Sequence, residues 1–591
     1  MNLSSTIKSI QDIMRKDDGV DGDAQRLGQL TWMLFLKVFD QREEEWEGGN
    51  PKYKSPLPQA MRWRSWAASV VGSDGKKKPQ VAESAIISFV NTELFPALKA
   101  LDPKISPQHK VIRSIFEDAN NYMKSGAQLL AVIKKLEEAI DFHDFKTRAN
   151  LGDVYEQLLN DLRGAGNAGE FYTPRAITHF MIDRLDPSLD KRETVLDPAC
   201  GTGGFLTAAL DHLRNQLTAE SKPVDKLAIE RLIRGIEKKP LPHLLCTTNM
   251  LLHGIDEPSQ ILRANTLGKG WDEWQTDEQA DCIVSNPPFG GYEDDTAGSD
   301  YPLQLRTRET ADMFMALIIK KLLKDGGRAA VVLPDGFLFG DGTKAFLKEI
   351  LLRDCRLHTI VRLPRGVFAP YTTIKTNLLF FSKGAVSDKN AEHFNTDTIW
   401  YYEHPYPPGY KSYSKTKPIR FEEFAPEQEW WGSEANDFAY RVENEFAWKV
   451  DFKAKRDQAR ALAIPHWSRA EQLENEVEVL DNRVRGLRGS IKGVAGPRQH
   501  LLVDEIESLR AQSEALRLES RDARATGDRL YWPIYNLDME NPNTPQDQSH
   551  DPDVLLGQLK TLIDQTQETE NRLKSEFAAA LAYYFVSEST Q

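Results

Sequence analysis

The sequence contains little cysteine and no paired cysteine motif. Only four of its 591 residues are cysteines, at positions 200, 246, 282 and 355, and none belongs to a CxxC pair. This usage predicts reduced thiols in a cytoplasmic protein rather than a disulfide framework. We therefore assign no cysteine to catalysis and expect no metal site.

Four further absences restrict the classes of function that fit this sequence. No signal peptide is recognisable and no apolar run is long enough to span a bilayer, so no membrane partner is expected. The sequence lacks a G-x-x-x-x-G-K-[ST] loop, which argues against an ATP-driven motor or a nuclease in this chain. The formal net charge is −13, so the chain lacks the overall basic footprint of a protein that grips nucleic acid unaided. A local basic groove is compatible with that total.

A rigid tetrapeptide, Asn286-Pro287-Pro288-Phe289, follows a short apolar run at 281–285. The run predicts a buried strand of a parallel sheet, and ligands of open α/β sheets bind where such strands end. The prolines remove N–H donors, so the turn presents the Asn286 carboxamide oxygen and the Pro287 carbonyl, which suit an exocyclic amine. Phe289 either stacks on a planar ring, as a base taken out of a duplex requires, or packs in the core behind a plain Pro-Pro turn.

A glycine-rich turn lies upstream, between an apolar strand and a helix. It occupies 195–205 and has glycines at positions 201, 203 and 204. This context is typical of a nucleotide-type ligand site, because glycine lets the backbone approach the ligand closely. The spacing G-x-G-x-x-G is absent, which argues against a nicotinamide cofactor. Glu237 follows a second apolar segment, where its carboxylate either accepts both ribose hydroxyls or is an ordinary solvated charge.

Three further segments complete a pattern with these two motifs: Gly169-Glu170-Phe171-Tyr172-Thr173-Pro174-Arg175, Gly326-Gly327-Arg328-Ala329-Ala330-Val331-Val332-Leu333-Pro334-Asp335-Gly336 and Tyr371-Thr372-Thr373-Ile374-Lys375-Thr376-Asn377. Together the five segments cover about 150 to 382 densely. They resemble the amino-methyltransferases that use S-adenosylmethionine, and more closely the modification (HsdM) subunit of type I restriction-modification systems. The tetrapeptide alone also occurs in methyltransferases that act on glutamine or RNA guanine, so it does not indicate the substrate. The Glu-Phe-Tyr-Thr-Pro segment and the long flanks are what indicate DNA adenine.

The resemblance implies a site-specific DNA adenine-N6 methyltransferase that transfers methyl from S-adenosylmethionine to a flipped adenine. It implies catalytic roles for Asn286, Pro287, Pro288 and Phe289. It also implies the residues that contact the cofactor: Glu170, Phe171, Tyr172, Thr173, Asp197, Ala199, Gly201, Thr202, Gly203, Glu237 and Asn265. Of these, Glu170 to Thr173 would wrap the methionine end, and Asn265 would lie beside the adenine. The implied partners are double-stranded DNA, a specificity subunit with two copies of this chain, and a restriction subunit in the full complex.

The predicted fold class is α/β, with a doubly wound, mainly parallel sheet of the S-adenosylmethionine-dependent methyltransferase kind. Strands are expected near 193–197, 233–237, 281–285, 328–333, 357–363 and 376–382. The last of these is the candidate for the antiparallel strand that members of the family add. Thr173 followed by Pro174 predicts a helix start, with Thr173 as the N-cap and Pro174 at the first helical position.

The flanks predict three further regions around the catalytic domain at 146–382. Residues 1–145 are expected to form a helical domain, because apolar residues recur at helical spacing. The aromatic-rich region 383–465 is either a cap on the sheet, which we favour, or the base-reading domain of a self-sufficient adenine methyltransferase. Heptad repeats predict a helical hairpin and a tail helix within 466–591. These helices either pack within the chain or dock onto a separate specificity subunit, which the resemblance favours.

One alternative keeps the fold without the chemistry. A binding module of this kind is discouraged by the intact Asn286, Phe289, Asp197 and Glu237, and it would show no turnover even with cofactor bound. A glutamine or RNA methyltransferase is the weaker substrate alternative.

Overall fold

The computed structural model describes the chain in segments: 3–71, 77–139, 173–218, 223–293, 298–369, 372–384, 394–414, 416–492, 495–543 and, in the tail, 556, 559–560, 563 and 565–577. The predicted site residues Glu170, Phe171 and Tyr172 lie outside these segments. The chain divides into two compact units, one of Met1–Glu443 with Ala447–Glu540, the other of Asn444–Phe446 with Asn541–Gln591. The first unit contains the sheet and the candidate site.

The N-terminal part is helical, as the apolar periodicity predicts. Its α-helices are Leu3–Met14, Asp23–Gly49, Trp63–Trp66, Glu83–Phe89, Phe95–Lys99, Pro107–Phe116 and Gly126–Ala139. A π-helical turn occupies Val90–Leu94, and two short strands, β1 (Val70–Val71) and β2 (Lys77–Lys78), pair antiparallel. Every side chain from Leu27 to Asp40 is buried, because neighbouring helices surround this stretch on all sides. Its core is continuous with the leucines of the helix Pro240–Leu252.

Within the described segments, nine strands form one mixed sheet, with the order β11-β10-β8-β9-β7-β6-β3-β4-β5. The strands are β3 (Val195–Asp197), β4 (Ile233–Glu237), β5 (Ile261–Arg263), β6 (Ala280–Ser285), β7 (Leu323–Pro334), β8 (Cys355–Leu363), β9 (Thr376–Lys383), β10 (Thr398–Glu403) and β11 (Ala447–Asp451). β9 runs antiparallel to β7 and β8, and β11 runs antiparallel to β10. The other neighbouring pairs are parallel, so the carboxyl ends of β3, β4, β6, β7, β8 and β10 lie along one edge. We call this the carboxyl edge.

The sheet confirms the six predicted strands and adds three that the sequence did not predict. The candidate antiparallel strand at 376–382 is β9, and it is antiparallel. The additional strands are β5, β10 and β11. Since β10 and β11 come from the aromatic-rich region, the sheet continues past residue 382.

Helices cover the sheet and connect its strands. The α-helices are Arg175–Leu185, Gly204–Asn215, Pro223–Leu232, Pro240–Leu252, Thr310–Leu317, Asp335–Phe339, Thr343–Asp354 and Ala425–Trp430, with a π-helical turn at Ile318–Leu322. Short 3-10 turns occupy Gln59–Met61, Thr266–Gly268, Trp271–Glu273, Thr276–Glu278, Leu303–Leu305, Phe421–Phe424, Glu434–Asn436 and Trp532–Tyr535. The alternation of strand and helix makes the sheet doubly wound, as predicted.

Two long helices, Phe452–Ile491 and Pro497–Tyr531, form the predicted hairpin. Their facing apolar side chains are buried, among them Leu473, Val477, Val484, Ile506 and Leu509. The ion pairs Arg469–Glu519, Arg483–Glu505 and Arg524–Glu474 cross the seam. The heptads of this hairpin therefore pair within the chain.

In the second unit, the described tail residues between 556 and 577 are helical. Their apolar side chains Leu556, Leu559, Ile563, Leu573 and Phe577 are exposed. Among the described helices, none combines the length and the apolar character that crossing a membrane requires.

Candidate active site

The glycine-rich turn connects the end of β3 to the helix Gly204–Asn215. Gly201 and Gly203 both have positive φ, +53° and +85°, which L side chains rarely adopt. A Cβ on Gly203 would lie 2.8 Å from Cys246 Sγ, so packing also requires glycine there. A Cβ on Gly201 would meet no heavy atom of the described residues within 4 Å, because that position faces an open cleft. The turn thus presents bare backbone to the cleft.

Asp197 ends β3 and is buried beneath this turn. Its Oδ1 accepts hydrogen bonds from the Ala199 backbone N–H at 3.0 Å and from Ser285 Oγ at 2.9 Å. Burial raises the pKa of Asp197 to about 7, although the two hydrogen bonds act in the opposite direction. The bond to Ser285 fixes the end of β6 against the end of β3, directly before Asn286.

Glu237 ends β4 and anchors the same turn. Its Oε2 accepts the Gly201 backbone N–H at 2.9 Å, and its Oε1 accepts the Lys239 backbone N–H at 2.7 Å. Glu237 is therefore not an ordinary solvated charge. Both carboxylate oxygens are thus engaged by backbone N–H groups at the end of β4.

Asn286 follows β6 and contacts Thr173 across the cleft. Its Nδ2 donates a hydrogen bond to Thr173 Oγ1 at 2.9 Å. Its Oδ1 is buried and has no hydrogen-bond partner among the described residues. The amide is thus oriented with a buried acceptor at the carboxyl edge of the sheet.

The predicted capping role of Thr173 is wrong. The helix begins at Arg175, and Pro174, with φ −55° and ψ 139°, occupies the N-cap position without a side-chain cap bond. Thr173 lies one residue before that cap, and its hydroxyl accepts the hydrogen bond from Asn286 instead.

The rest of the tetrapeptide is held by a residue that the sequence reasoning missed. Thr310 Oγ1 donates to the Pro288 carbonyl at 2.8 Å, and the Thr310 backbone N–H donates to the Gly291 carbonyl at 3.1 Å. Pro287 is buried, Pro288 is exposed and Phe289 is half-buried. The available signal was the position of Thr310 at the start of the next helix, where threonine commonly bonds to nearby backbone.

One cleft brings together six of the predicted site residues. It is lined by Thr173, Asp197, Ala199, Cys200, Gly201, Thr202, Gly204, Phe205 and Asn286. The sequence reasoning did not include Cys200, Gly204 or Phe205. Six described residues that it did include do not line this cleft: Gly203, Glu237, Asn265, Pro287, Pro288 and Phe289. Asn265 Oδ1 accepts the Leu267 backbone N–H at 3.2 Å and so caps the turn Thr266–Gly268.

Comparison with protein families gives two matches. The family model described as N-6 DNA Methylase matches residues 146–476, and that of the HsdM N-terminal domain matches residues 3–136. Together they span the helical N-terminal part, the sheet and part of the first helix of the long hairpin.

Individual proteins agree with these matches. The chain is 47% identical to the type I restriction enzyme EcoEI methylase subunit of Escherichia coli, over 98% of this chain and 99% of that protein. It is 28% identical to the EcoKI methylase subunit of Escherichia coli, over 75% and 80% of the two chains. A crystal structure of a modification subunit from Vibrio vulnificus is 38% identical, covers 76% of this chain and 92% of its own, and has a TM-score of 0.63. A chain from a structural study of type I R-M complex assembly is 30% identical and has a TM-score of 0.67; the match covers 98% of this chain and 99% of that one.

Proposed function

Because the chain belongs to the N-6 DNA methylase family, we propose that its cleft binds S-adenosylmethionine and that Asn286 holds the amino group of the target adenine. The family assigns the overall chemistry: the chain is an adenine-specific DNA methyltransferase and a methylase subunit of a type I restriction-modification complex. The buried Oδ1 of Asn286, which lacks a partner among the described residues, carries the proposal. An acceptor in that state is costly unless a ligand donor meets it.

The cleft fits S-adenosylmethionine in three respects. The backbone at Gly201 faces open space that a side chain would fill. Glu237 fixes the turn through both of its carboxylate oxygens, and we propose that this carboxylate contacts the ribose hydroxyls. Asp197, Ala199, Thr202 and Gly203 shape the turn beneath the nucleoside. Glu170, Phe171, Tyr172 and Thr173 are proposed for the methionine end, and Asn265 for the adenine.

Bound S-adenosylmethionine supplies a methyl group that its sulfonium already activates. Thr173 fixes the amide of Asn286, so that Oδ1 accepts one hydrogen of the adenine amine while the Pro287 carbonyl accepts the other. These bonds orient the nitrogen lone pair, and such positioning lowers a barrier by up to about 7–11 kcal/mol. Bound S-adenosylmethionine would supply its methyl group to the amine nitrogen that Asn286 and Pro287 orient, and the methylated amine would then release a proton to solvent. No general base is required before attack.

The neighbours of Asn286 complete the pocket for the base. Phe289 stacks on the extruded adenine, which is worth about 1–3 kcal/mol and offsets part of the cost of unstacking. Pro288 is held by the hydroxyl of Thr310, and this bond keeps the tetrapeptide in one conformation.

We further propose that the tail helix docks a specificity subunit, in a complex with two copies of this chain, a restriction subunit and double-stranded DNA. The support is the row of exposed apolar residues Leu556, Leu559 and Ile563, which continues at Leu573 and Phe577. Their spacing follows the heptad positions that face a partner helix.

The test is transfer of labelled methyl from S-adenosylmethionine to DNA, with the chain alone and with the proteins encoded beside it. Sequencing of the product then maps the modified adenine. Activity that requires the partner proteins and disappears in Asn286→Ala supports the proposal. Asn436→Ala, at an exposed asparagine outside the cleft, is the control and should remain active. Sequence-specific transfer by the chain alone would instead support the self-sufficient enzyme with its own reader at 383–465.

A further inference from the structure

Three large apolar side chains are exposed at the carboxyl edge that carries Asn286. Tyr292 is 75% exposed, Phe339 53% and Ile374 56%. Tyr292 follows the tetrapeptide after β6, Phe339 ends the short helix after β7, and Ile374 precedes β9. Because the sheet order is β9-β7-β6, the three segments are neighbours. We call these residues the apolar row.

Polar contacts connect the segments of the apolar row. Tyr292 forms an isolated bridge with Glu309, and the ammonium of Lys344 contacts the Glu309 carboxylate. The stem of Lys344 packs against Gly340, the residue after Phe339, where no Cβ would fit. On the other side, the Asp335 backbone N–H donates to the Lys375 carbonyl at 3.2 Å and so joins the β7 end to the segment of Ile374. The three segments that carry the row are thus linked to one another by contacts.

Lys344 also contacts the helix that begins with Thr310. Its ammonium donates to the buried Asp312 Oδ2 at 2.5 Å, and Asp312 lies in the helix that begins with Thr310. The same helix holds the Pro288 carbonyl through Thr310. The tetrapeptide and the apolar row therefore share one support.

Two cations at the same edge indicate what covers the row. Arg365 is exposed just after β8, and Lys375 is half-buried just before β9. Exposed apolar side chains with cations nearby suit a DNA duplex, in which stacked bases lie between phosphates. Glu309 and Asp335 at this edge are paired with Lys344 and Arg362, and Asp341 is exposed there. An apolar side chain can enter the space between base steps, and removal of one base from the stack leaves such a space.

From this arrangement we infer that the apolar row contacts the bases around the target adenine and that Phe339 enters the gap that the extruded adenine leaves. Phe339 belongs to the middle segment of the row and has a flat, fully apolar ring, unlike Tyr292 and Ile374. The inference rests on the proposed function and adds a positioning residue to it. Phe339 acts on the duplex, whereas Asn286 and Phe289 act on the extruded base.

The test compares two duplexes of the mapped site, one fully paired and one with an abasic position opposite the target adenine. The protein is the complex with its partner chains. Phe339→Ala should lower the methylation rate on the paired duplex by about tenfold or more and recover to about the wild-type rate on the abasic duplex, where the adenine is already unpaired. Phe339→Leu, which keeps an apolar side chain, should retain intermediate activity. Binding of S-adenosylmethionine should not change.

Tyr440→Ala is the matched control. Tyr440 is 81% exposed and lies near Asp437, which pairs with Arg356 at the amino end of β8, on the opposite edge of the sheet. The Tyr440→Ala variant should methylate both duplexes at the wild-type rate. Equal loss by Phe339→Ala on both duplexes would overturn the inference, and so would failure of that variant to assemble with its partner chains. The wild-type protein must methylate the paired duplex. If it does not, the proposed function fails; if it does and Phe339→Ala behaves otherwise than expected, only the inference about Phe339 fails.

Discussion

Asn286 and Thr173 are 113 positions apart in the sequence, and Asn286 Nδ2 donates a hydrogen bond of 2.9 Å to Thr173 Oγ1. This bond joins the loop after β6 to the segment before the helix Arg175–Leu185. In this arrangement Nδ2 is engaged by Thr173, while Oδ1 has no partner among the described residues and is the atom left for a ligand. An asparagine free to rotate would present donor and acceptor alternately.

We expect Thr173→Val to lower the methylation rate by about 10–100-fold, because valine keeps the volume but removes the acceptor that orients Asn286. Single-turnover kinetics with saturating S-adenosylmethionine measure this effect on the transfer step. Thr178→Val is the control, since Thr178 Oγ1 donates only to the Arg175 carbonyl of its own helix. Equal rates for the two variants would show that the bond to Asn286 does not orient the amide.

The raised pKa of Asp197 predicts a pH-dependent cost of folding. Burial raises this pKa from 3.8 to about 7, so the folded state keeps a proton that the unfolded state has lost. The stability associated with this group is fully present below about pH 4, falls as the pH rises, and is lost above about pH 7. In that window the free energy of unfolding should fall by about 1.4 kcal/mol per pH unit from this group alone.

Asp197→Asn isolates that contribution. The amide oxygen can still accept the Ala199 and Ser285 hydrogen bonds, which both end at Oδ1 in the wild type. Denaturant unfolding of both proteins from pH 4 to pH 8 should give a difference that favours the variant increasingly as pH rises. A difference that is constant with pH would contradict the raised pKa.

Glu237→Gln should weaken binding of S-adenosylmethionine by about tenfold or more. The carboxylate accepts backbone N–H groups at both oxygens, and a glutamine would turn one acceptor into a donor facing a donor. Calorimetric titration with S-adenosylhomocysteine measures the change without turnover. Glu257→Gln, at an exposed glutamate, makes the same change in charge and should bind as the wild type does.

The sequence could predict features that depend on local pattern. The apolar run before Asn286 predicted a strand, and β6 lies there. The glycine-rich turn predicted open backbone, and the structure has it at Gly201. In contrast, β5 has three residues, and Leu262 at its centre is exposed, so it offers no apolar run to recognise. β10 is aromatic-rich and joins the sheet by pairing with β8, a choice of partner that no local pattern reveals.

The contacts that orient the site are the part that sequence could not supply. Asp197 and Ser285 are 88 positions apart and meet only because β3 and β6 are neighbours in the sheet. Thr173 was a reasonable N-cap by local rules, but Pro174 takes that place and the Thr173 hydroxyl bonds to Asn286. In both cases a tertiary partner, rather than local preference, decides the role of the side chain.

The hairpin of Phe452–Ile491 and Pro497–Tyr531 predicts opposite effects of one substitution at two of its glycines. A Cβ on Gly527 would lie 2.6 Å from Trp467 Cδ1, so Gly527→Ala should lower the free energy of unfolding by about 1–3 kcal/mol. A Cβ on Gly486 meets no heavy atom of the described residues within 4 Å, and Gly486→Ala should raise it by about 0.5–1 kcal/mol.

Guanidinium unfolding, followed through helical circular dichroism, ranks the two variants against the wild type. Both substitutions place the same methyl group in a helix and raise its intrinsic helical preference equally. Opposite shifts therefore measure the packing of Trp467 against Gly527, where the two helices meet close to Tyr531 and its ring contact with Trp467. Stabilisation by both would mean that the helices do not approach each other this closely at Gly527, because the contacts there with Trp467 and the Ala463 carbonyl separate the two cases.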